Sequence, residues 1–461
     1  MPRTDEPAAG RREPVIPAAV QGILETFWAN GHAAYVVGGS LRDELIGRRA
    51  SDWDLATDAR PDRIVELFPG AVYENKFGTV DVRAGGETYQ VTTFRTDHDY
   101  GDHRRPHHVE FGDEIETDLA RRDFTVNAIA WGARGTPGGG RAGRAALVDP
   151  FGGALDVERR LLRAVGEPTK RFEEDALRMI RGVRLAATLE FAIEPATLAA
   201  ITDRAALVEH LSGERIGAEL GRLLGARRPS VGLRLMADSG LLDRVSPELA
   251  AQRGIAQNKV PGEDLWDHTL RAVDAAPAAR PVVRLAALVH DIGKPATAAD
   301  GHFYGHERVG ADVARAFLER VHYPRAVIQR VVALVRQHMF AYEASWSDAA
   351  VRRFIGKVGR DMLDELFELR MADNAGSGLP PDVGIAELRR RVEEQLAADV
   401  ALDRGDLAID GDDLIEELGV ERGPAIGRIL GRLLDRVIAD PALNERPTLL
   451  LLAATLVEDE S

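Results

Sequence analysis

Two short stretches near the N-terminus contain residue types suited to phosphate and metal chemistry. In the first, Gly38 and Gly39 let backbone N–H groups approach a phosphate closely, and Ser40 is predicted to cap the helix that follows. In the second, the i, i+2 spacing of Asp52 and Asp54 points both carboxylates to one face of an extended segment. Together they could hold a nucleotide's phosphates against two metal ions, as in-line phosphoryl or nucleotidyl transfer requires. Separately, each is also compatible with an ordinary turn or a solvated strand end.

A third stretch, residues 121–127, offers further groups for a nucleotide. Arg121 and Arg122 place two guanidinium groups where they could bind a triphosphate. Asp123 and Asn127 could form hydrogen bonds with ribose hydroxyls. The same residues could also form the capped, salt-bridged start of a helix.

Asp175 and Arg178 are predicted to share one face of a helix over residues 175–189, because they are three residues apart. A carboxylate there would accept from an exocyclic amine while a guanidinium donates to the neighbouring ring nitrogen, a pattern that fits cytosine and adenine. Guanine and uracil would leave both side chains unpaired, at a cost of ~1–3 kcal/mol each. The pair could therefore select C and A without a template, although an ordinary helical ion pair has the same spacing.

Histidines and aspartates form another candidate set in the second half of the chain. Such residues on several helices can converge on a divalent metal that activates water. A single histidine is more often a satisfied core residue, so the hypothesis depends on their convergence. The candidates are His268, His290, Asp291 and Asp373, with His306 and His338 as additional ones.

The glycine turn and the acidic pair together resemble the nucleotidyltransferase superfamily that includes DNA polymerase β. They are more closely similar to class II tRNA CCA-adding enzymes and bacterial poly(A) polymerases. The resemblance implies that the acids bind two Mg²⁺ ions and that the turn and the residues after it hold the triphosphate. The matching positions are Gly38, Gly39, Arg42, Asp43, Asp52 and Asp54.

Further segments are similar to motifs of the class II enzymes. Residues 121–128 resemble their nucleotide-binding motif, and residues 174–178, which contain Asp175 and Arg178, resemble their base-reading motif. Residues 214–220 resemble the element that supports the base-reading helix. Residues 95–106, predicted as a mobile loop, match the flexible segment implicated in switching from C to A addition. This match argues against an enzyme that adds only CC.

The adjacent His290 and Asp291, with histidines on either side, closely resemble the HD metallohydrolase domain. Some bacterial CCA-adding enzymes carry such a domain, with phosphatase and phosphodiesterase activities toward RNA ends. The resemblance implies an additional divalent metal and a second, phosphohydrolase activity in this chain.

A sheet is expected to position Asp52 and Asp54, and helices are expected to position most of the other candidate site residues. Residues 33–37 are predicted to form a strand, and residues 79–83 and 88–94 a hairpin. Proline begins a predicted helix at residues 61–68, whereas the glycine-rich residues 132–143 are predicted to be a flexible excursion. Helical periodicity then dominates the rest of the chain. The predicted fold class is α+β, a mixed-sheet nucleotidyltransferase head followed by an all-α neck, body, HD domain and tail.

The predicted boundaries follow composition and periodicity, with a linker near residues 252–262. The predicted parts are a disordered tail (1–17), the catalytic head (18–155), a helical neck and body for base selection and tRNA binding (156–255), an HD metallohydrolase-like domain (263–378) and a helical tail (379–461).

Composition limits the classes of protein to consider. The 461 residues are 45% hydrophobic and 29% charged, which is typical of globular chains with several units. With no cysteine, disulfides, Cys-based zinc sites and thiol nucleophiles are excluded, and a cytoplasmic location is expected. The apolar run at residues 449–456 is too short to span a bilayer, so no membrane association is expected.

The net charge of −15 means that any RNA contact must come from local basic clusters. Taken singly, each cluster is more often a solvated face. The candidates are residues 104–105, 121–122, 159–163 and 170–171, and the helical series Arg178, Arg181 and Arg184.

The preferred interpretation is a CCA tRNA nucleotidyltransferase that uses CTP and ATP at the tRNA acceptor arm. A poly(A) polymerase shares nearly all of the head motifs, but the HD-like unit and the lack of a long basic extension count against it. A third hypothesis makes the HD unit the principal enzyme and the head an RNA-binding unit. No third carboxylate is obvious, because Gln90 stands where an acid would help and Asp81 is only a speculative substitute.

Overall fold

The computed structural model describes residues 13–50, 52–73, 78–98, 108–135, 143–257, 259–380, 382–398 and 400–460. The chain divides into two compact units, residues 1–247 and 248–461. The finer division into head, neck and body, HD domain and tail stays a prediction. The predicted disordered tail falls mainly on residues 1–12, outside the described residues.

The strands of the described residues all lie in the first unit. In chain order they are β1 (Ala34–Val37), β2 (Asp54–Thr57), β3 (Val72–Tyr73), β4 (Thr79–Ala84), β5 (Glu87–Thr93), β6 (Arg95–His98), β7 (His108–Phe111), β8 (Ala130–Ala133), β9 (Ala146–Val148), β10 (Leu161–Leu162) and β11 (Ala192–Ile193). The main sheet has the order β3-β4-β5-β2-β1-β8-β9. It is mixed, because β2 runs parallel to β5 while β1 is antiparallel to both β2 and β8.

The helices of the first unit cover the sheet and continue beyond it. They are α1 (Ala18–Ala29), α2 (Gly39–Leu45), α3 (Pro61–Leu67), α4 (Ile115–Ala120), α5 (Gly153–Glu158), α6 (Pro168–Glu174), α7 (Leu177–Leu189), α8 (Pro195–Arg204), α9 (Gly213–Leu224), α10 (Pro229–Asp238) and α11 (Leu241–Val245), with 3₁₀ turns at Thr125–Asn127 and Ala205–His210.

Among the described residues of the second unit, the named elements are all helices. From the division onward the helices are α12 (Pro247–Ala250), α13 (Leu265–Ala275), α14 (Pro281–Val289), α15 (Lys294–Thr297), α16 (His306–Arg320), α17 (Arg325–Gln337), α18 (Asp348–Val358), α19 (Leu363–Gly376), α20 (Val383–Ala397), α21 (Gly411–Leu418), α22 (Pro424–Ala439) and α23 (Arg446–Glu460), with 3₁₀ turns at Arg360–Met362, Arg404–Asp406 and Pro441–Leu443. None of the described helices has both the length and the apolar character that a bilayer crossing needs.

The two faces of the main sheet are covered differently. One face buries Leu55, Val80 and Val91 in a core that also contains residues of α1 and α3. Because side chains alternate along a strand, the neighbours of these residues point to the opposite face. That face has a smaller core around Tyr35 and Phe94, which covers the β1 side of the sheet. Polar side chains on β2, β4 and β5 therefore occupy the part of this face outside that core.

Two expectations for irregular segments were partly wrong. Residues 95–98, predicted as part of a mobile loop, form β6 and pair with β7, while residues 99–107 lie outside the described residues. Gly132, predicted to lie in a flexible excursion, is inside β8. A Cβ at Gly132 would lie 2.2 Å from the Ala34 carbonyl oxygen, so this glycine permits close contact between β8 and β1. Residues 136–142 lie outside the described part of the chain.

Candidate functional sites

The glycine turn joins β1 directly to the short helix α2. Gly38 has φ of +78°, a conformation that residues with a Cβ rarely adopt, and it occupies the N-cap position of α2. The predicted role of Ser40 as the cap was wrong, because Ser40 lies within the helix and its hydroxyl donates to the Val37 carbonyl at 3.4 Å. The turn is therefore shaped by Gly38, and its backbone is unobstructed by a side chain at that position.

Arg122 lies beside this turn. A Cβ at Gly38 would lie 2.9 Å from an Arg122 Nη1 atom, so the glycine makes room for the guanidinium. Asp118, almost completely buried, accepts hydrogen bonds from Arg121 at 2.8 Å and from Arg122 at 3.1 Å. Burial alone would raise the pKa of Asp118, but the two guanidiniums lower it. Asp118 therefore orients both arginines.

Asp54 is the first residue of β2, and Asp52 precedes it by two residues; both side chains are exposed. Partial desolvation raises the pKa of Asp54, while the Arg122 guanidinium opposes the shift and the Asp52 carboxylate adds to it. The structure thus brings the glycine turn, Arg122 and the acidic pair together. Carboxylate oxygens are the ligands that Mg²⁺ prefers, so the donor set fits this ion.

The strand register shows what lies next to Asp54. Leu55 is level with Val91 on the parallel strand β5, which places Gln90 beside Asp54. Gln90 is in turn opposite Asp81 on β4, so the three residues form one row across the sheet. Adjacent strands are ~4.8 Å apart, which puts the backbone of Asp81 about 10 Å from that of Asp54. A role for Asp81 as the third carboxylate stays a prediction.

A chain of hydrogen bonds links the remaining nucleotide-binding candidates of the first unit. The Arg42 guanidinium donates to Asp43 at 2.8 Å and to the Asn127 side-chain oxygen at 2.5 Å. Asn127 donates to Asp123 at 3.2 Å, and Arg181 donates to the other Asp123 oxygen at 2.8 Å. These side chains are therefore engaged with one another and fix the shape of the surface around the turn.

Asp123 is buried at the centre of this chain. Burial would raise its pKa, but Arg181 and the hydrogen bond from Asn127 lower it well below the usual range. Asp123 therefore contributes stability that is fully present above the unfolded pKa of about 3.9 and is lost as the pH falls below it.

We expect Asp123→Asn to destabilise the first unit by about 3 kcal/mol at neutral pH, because it leaves Arg181 without its charge partner. The difference should shrink as the pH falls below about 4, since Asp123 then becomes protonated in the unfolded wild-type chain, which lowers the wild-type stability. Denaturant-dependent amide hydrogen exchange in α7 measures the effect, with the exposed Asp203→Asn as the control. Equal protection of wild type and Asp123→Asn at neutral pH would contradict this assignment.

Asp175 does not lie on the helix predicted for it. The residue is extended (φ −146°, ψ 105°) and separates α6 from α7. Its side chain accepts from the Leu177 N–H at 3.1 Å and from the Arg215 guanidinium at 2.7 Å. The predicted i, i+3 face was therefore wrong, although residue 215 belongs to the segment predicted to support this element.

Arg178 is on α7, and its guanidinium is held by oxygen acceptors. It donates to the Arg171 carbonyl at 3.0 Å, to Glu174 at 2.5 Å and to the Arg121 carbonyl at 3.0 Å. The last contact links Arg178 to the segment that carries the triphosphate candidates.

The arginine series on α7 is ion-paired within the first unit. Arg181 pairs with Asp123, and Arg184 pairs with the buried Glu219 at 2.6 Å. Together with the Arg178–Glu174 pair, these contacts show that the series stabilises the unit.

In the second unit, the predicted histidines and aspartates converge. His268 is on α13, Asp373 is on α19, and His290 directly follows α14. The Nε2 atoms of His268 and His290 are 3.1 Å apart, and His268 Nε2 is 3.3 Å from Asp373 Oδ1. These three residues form the first group that could hold a metal ion.

A second group lies against the first and includes Asp291, His306 and His338. His306 Nε2 is 3.4 Å from Asp291 Oδ1 and 3.4 Å from His338 Nε2. The other carboxylate oxygen, Asp291 Oδ2, is 3.3 Å from His268 Nε2. Asp291 therefore faces both groups, one oxygen toward each.

The donor set of these groups fits divalent metals. Each of three histidines has its Nδ1 close to a main-chain carbonyl, at 2.7 to 2.8 Å, which directs Nε2 into the group; they are His290, His306 and His338. Burial alone would lower the pKa of His290, but Asp291 and Asp373 raise it to about 9. A divalent cation bound here would compete with that proton.

Some residues of both sites were missed by sequence reasoning. Asp118 precedes Arg121 and Arg122 by three and four residues, a helical ion-pair spacing that could have indicated it. Lys294 Nζ lies 2.6 Å from Asp291 Oδ2, and the same i, i+3 spacing applies. The contact of Arg215 with Asp175 joins distant parts of the chain, and no local pattern indicates it.

Comparison with known families assigns three parts of the chain. Residues 34–163 match the poly A polymerase head domain, and residues 263–375 match the HD domain. Residues 190–253 match a family described as a probable RNA and SrmB-binding site of polymerase A.

Several relatives over nearly the whole chain are CCA-adding enzymes. The CCA-adding enzyme of Geobacillus stearothermophilus is 34% identical over 426 residues, 92% of this chain and 93% of that protein. The crystal structure of the Bacillus stearothermophilus CCA-adding enzyme with CTP has a TM-score of 0.72 at 31% identity, covering 96% of this chain and 98% of that one. The Thermotoga maritima enzyme complexed with tRNA shares the fold, with a TM-score of 0.57 at 20% identity, covering 96% of this chain and 97% of that one. With the glycine turn, the acidic pair and the convergent histidines in place, this chain belongs to the CCA-adding enzyme family.

Proposed function

We propose that this chain adds or repairs the 3′-terminal CCA of tRNA, using CTP and ATP without a template and releasing pyrophosphate. The observation that carries the proposal is the position of Arg122, which lies against the Gly38 turn and acts on the Asp54 carboxylate. One guanidinium thereby connects the phosphate-binding turn to the acids. The relationship to a CCA-adding enzyme solved with CTP supports the choice of nucleotide.

Asp52 and Asp54 are the residues that would hold two Mg²⁺ ions. When bound, such ions lower the pKa of an attacking hydroxyl, here the tRNA 3′-hydroxyl, and stabilise the departing pyrophosphate. The chain's own contribution is to keep both carboxylates exposed at the start of β2 and to place Arg122 next to them.

The triphosphate is assigned to the Gly38–Gly39 turn and to the guanidiniums of Arg121 and Arg122. Asp118 orients these guanidiniums, so their charge is directed before a nucleotide arrives. The other candidates keep the shape of this surface through their mutual hydrogen bonds; they are Arg42, Asp43, Asp123 and Asn127.

Asp175 and Arg178 are assigned to the incoming base. Each Asp175 oxygen already accepts one hydrogen bond, from Leu177 or Arg215, and a carboxylate oxygen can accept a second. An exocyclic amine of cytosine or adenine can therefore bind without displacing Arg215. Uracil and guanine present an acceptor oxygen instead, which the carboxylate repels.

Arg215→Met is expected to reduce the preference for CTP over UTP by about tenfold, because Asp175 then loses the charged donor that orients it. The ratio of kcat/KM for CTP and UTP on a tRNA ending before its CCA measures the effect.

Arg222→Met on the same helix is the matched control, since Arg222 is largely exposed and pairs with Glu219. An unchanged CTP-to-UTP ratio in Arg215→Met would show that the orientation of Asp175 by Arg215 does not contribute to base selection.

The substrate assignment is tested with a tRNA that lacks its CCA and with CTP and ATP supplied separately and together. CTP alone should add two residues, and ATP should add one residue only after them. Long A tails without C incorporation would instead support a poly(A) polymerase.

We infer a second function for the second unit, metal-dependent hydrolysis of phosphoesters. The observation in favour is Asp291, whose two oxygens face two separate groups of candidate ligands. Asp291 and the histidines around it would hold divalent metal, which when bound would supply an activated water molecule for attack on phosphorus. The chain supplies the buried ligands and holds each histidine in one orientation.

Metal uptake and hydrolysis test this second function. The purified chain should take up two divalent ions in the second unit, counted by mass spectrometry under native conditions in an Asp52→Ala background. It should then release phosphate from a phosphoester substrate. If the histidines take up no metal and no hydrolysis occurs with any divalent ion, they are structural.

A further inference from the structure

The ligands of the second unit are not equally buried, and the difference locates the entrance to the metal groups. The side chains of His290 and His338 are 0% and 1% exposed, whereas those of Asp373 and His306 are 7% and 8% exposed. Asp373 and His306 are therefore the ligands nearest to solvent, and we take the position of Asp373 as the entrance.

Two cations stand at this entrance against Asp373. Arg370 Nη1 donates to Asp373 Oδ2 at 3.0 Å, and Lys259 Nζ lies 3.8 Å from Asp373 Oδ1. Their side chains are 22% and 38% exposed, well above the 7% of Asp373. Lys259 belongs to the segment that the sequence suggested to be only a linker.

If Asp373 also binds a metal ion, its single negative charge does not balance the two positive charges of Lys259 and Arg370. Asp373 carries one negative charge and faces His268 and His290 on its inner side. Lys259 Nζ is beyond hydrogen-bond distance of Asp373, so this ion pair uses none of its three donors. The Arg370 guanidinium also lies over the Phe340 ring at 5.9 Å, which restrains its orientation. An anion at the entrance could therefore contact both Lys259 and Arg370.

We propose that Lys259 and Arg370 bind the phosphoryl group of the substrate, and that this substrate is a terminal phosphate monoester. The inference rests on the proposed hydrolase function of the second unit. A monoester has three non-bridging oxygens. If metal ions held by the two groups took two of these oxygens, the third would be left for Lys259 and Arg370. A diester has only two, so none would be left for these cations.

Binding of inorganic phosphate and of dimethyl phosphate to the full chain loaded with Mn²⁺ tests the inference by calorimetry. Lys259→Met and Arg370→Met should each weaken phosphate binding about tenfold, as expected for one charge-assisted hydrogen bond. The affinity for dimethyl phosphate should stay unchanged, and so should the Mn²⁺ content. Lys357→Met, at an exposed position of α18, is the matched control and should behave as wild type.

Each contrary result has a separate meaning. Unchanged phosphate affinity in both variants would overturn the inference while leaving the hydrolase function intact. Loss of Mn²⁺ would also overturn it, because the cations would then act on the ligands. Equal weakening of phosphate and dimethyl phosphate would refute the monoester preference, and failure of the wild-type chain to take up Mn²⁺ would overturn inference and hydrolase function together.

Discussion

Asp52→Ala is expected to reduce the incorporation of both CTP and ATP into tRNA by about a thousand-fold. The reason is electrostatic: removing one of the two carboxylates removes a proposed metal ligand and leaves Asp54 alone to balance the charge. Single-turnover incorporation at saturating nucleotide measures the loss. Folding should be preserved, because the Asp52 side chain is exposed.

Asp62→Ala is the matched control for this experiment, since Asp62 is an exposed acid in the first turn of α3. Its incorporation rate should equal that of the wild type. Metal uptake by the second unit should be the same in all three proteins. Undiminished incorporation by Asp52→Ala would refute the assignment of the acidic pair.

Asp291→Asn is expected to abolish phosphoester hydrolysis by the second unit and to leave CCA addition intact. Asp291 supplies one oxygen to each group of ligands, so both lose a charged ligand at once. Burial would raise its pKa, but His290 and Lys294 hold the pKa of Asp291 well below its usual range. The neutral amide therefore removes a negative charge that the site depends on. Parallel assays of hydrolysis and of CTP incorporation measure the effect.

Asp300→Asn, at an exposed position between α15 and α16, is the control for Asp291→Asn. His306→Ala is a milder companion, because it removes a ligand from the second group only. That variant should retain one bound ion while Asp291→Asn retains neither. Full hydrolysis by Asp291→Asn would rule out a shared carboxylate.

The sequence predicted the local elements of the first unit well. The hairpin predicted at residues 79–83 and 88–94 is observed as β4 and β5, and the predicted strand at residues 33–37 contains β1. Alternating apolar residues and turn glycines determine such elements locally, so they can be read without tertiary information. The α+β class followed from the same patterns and is confirmed by the fold shared with CCA-adding enzymes.

The break at Asp175 could not be predicted in the same way. The helical periodicity of α7 extends backward through Asp175, yet the residue is extended. Its carboxylate accepts from the Leu177 N–H and from Arg215, which is 40 residues away in the chain. A tertiary ion pair of this kind overrides local helical preference, and spacing alone gives no sign of it.

For the second unit, the sequence supplied the residue types but not their grouping. His268, His290 and Asp373 were candidates from the start, and the structure brings them together. Whether His306 and His338 belonged with them depended on how α16 and α17 pack. The position of Asp291 between two groups is likewise a property of three-dimensional packing.

The most direct test of CCA addition is to sequence the 3′ ends of a tRNA lacking its CCA after incubation with the chain, Mg²⁺ and all four nucleotides. The products are expected to end in CCA and to stop there, with U and G absent. Products that end in long A tails, or that contain U or G at these positions, would contradict it.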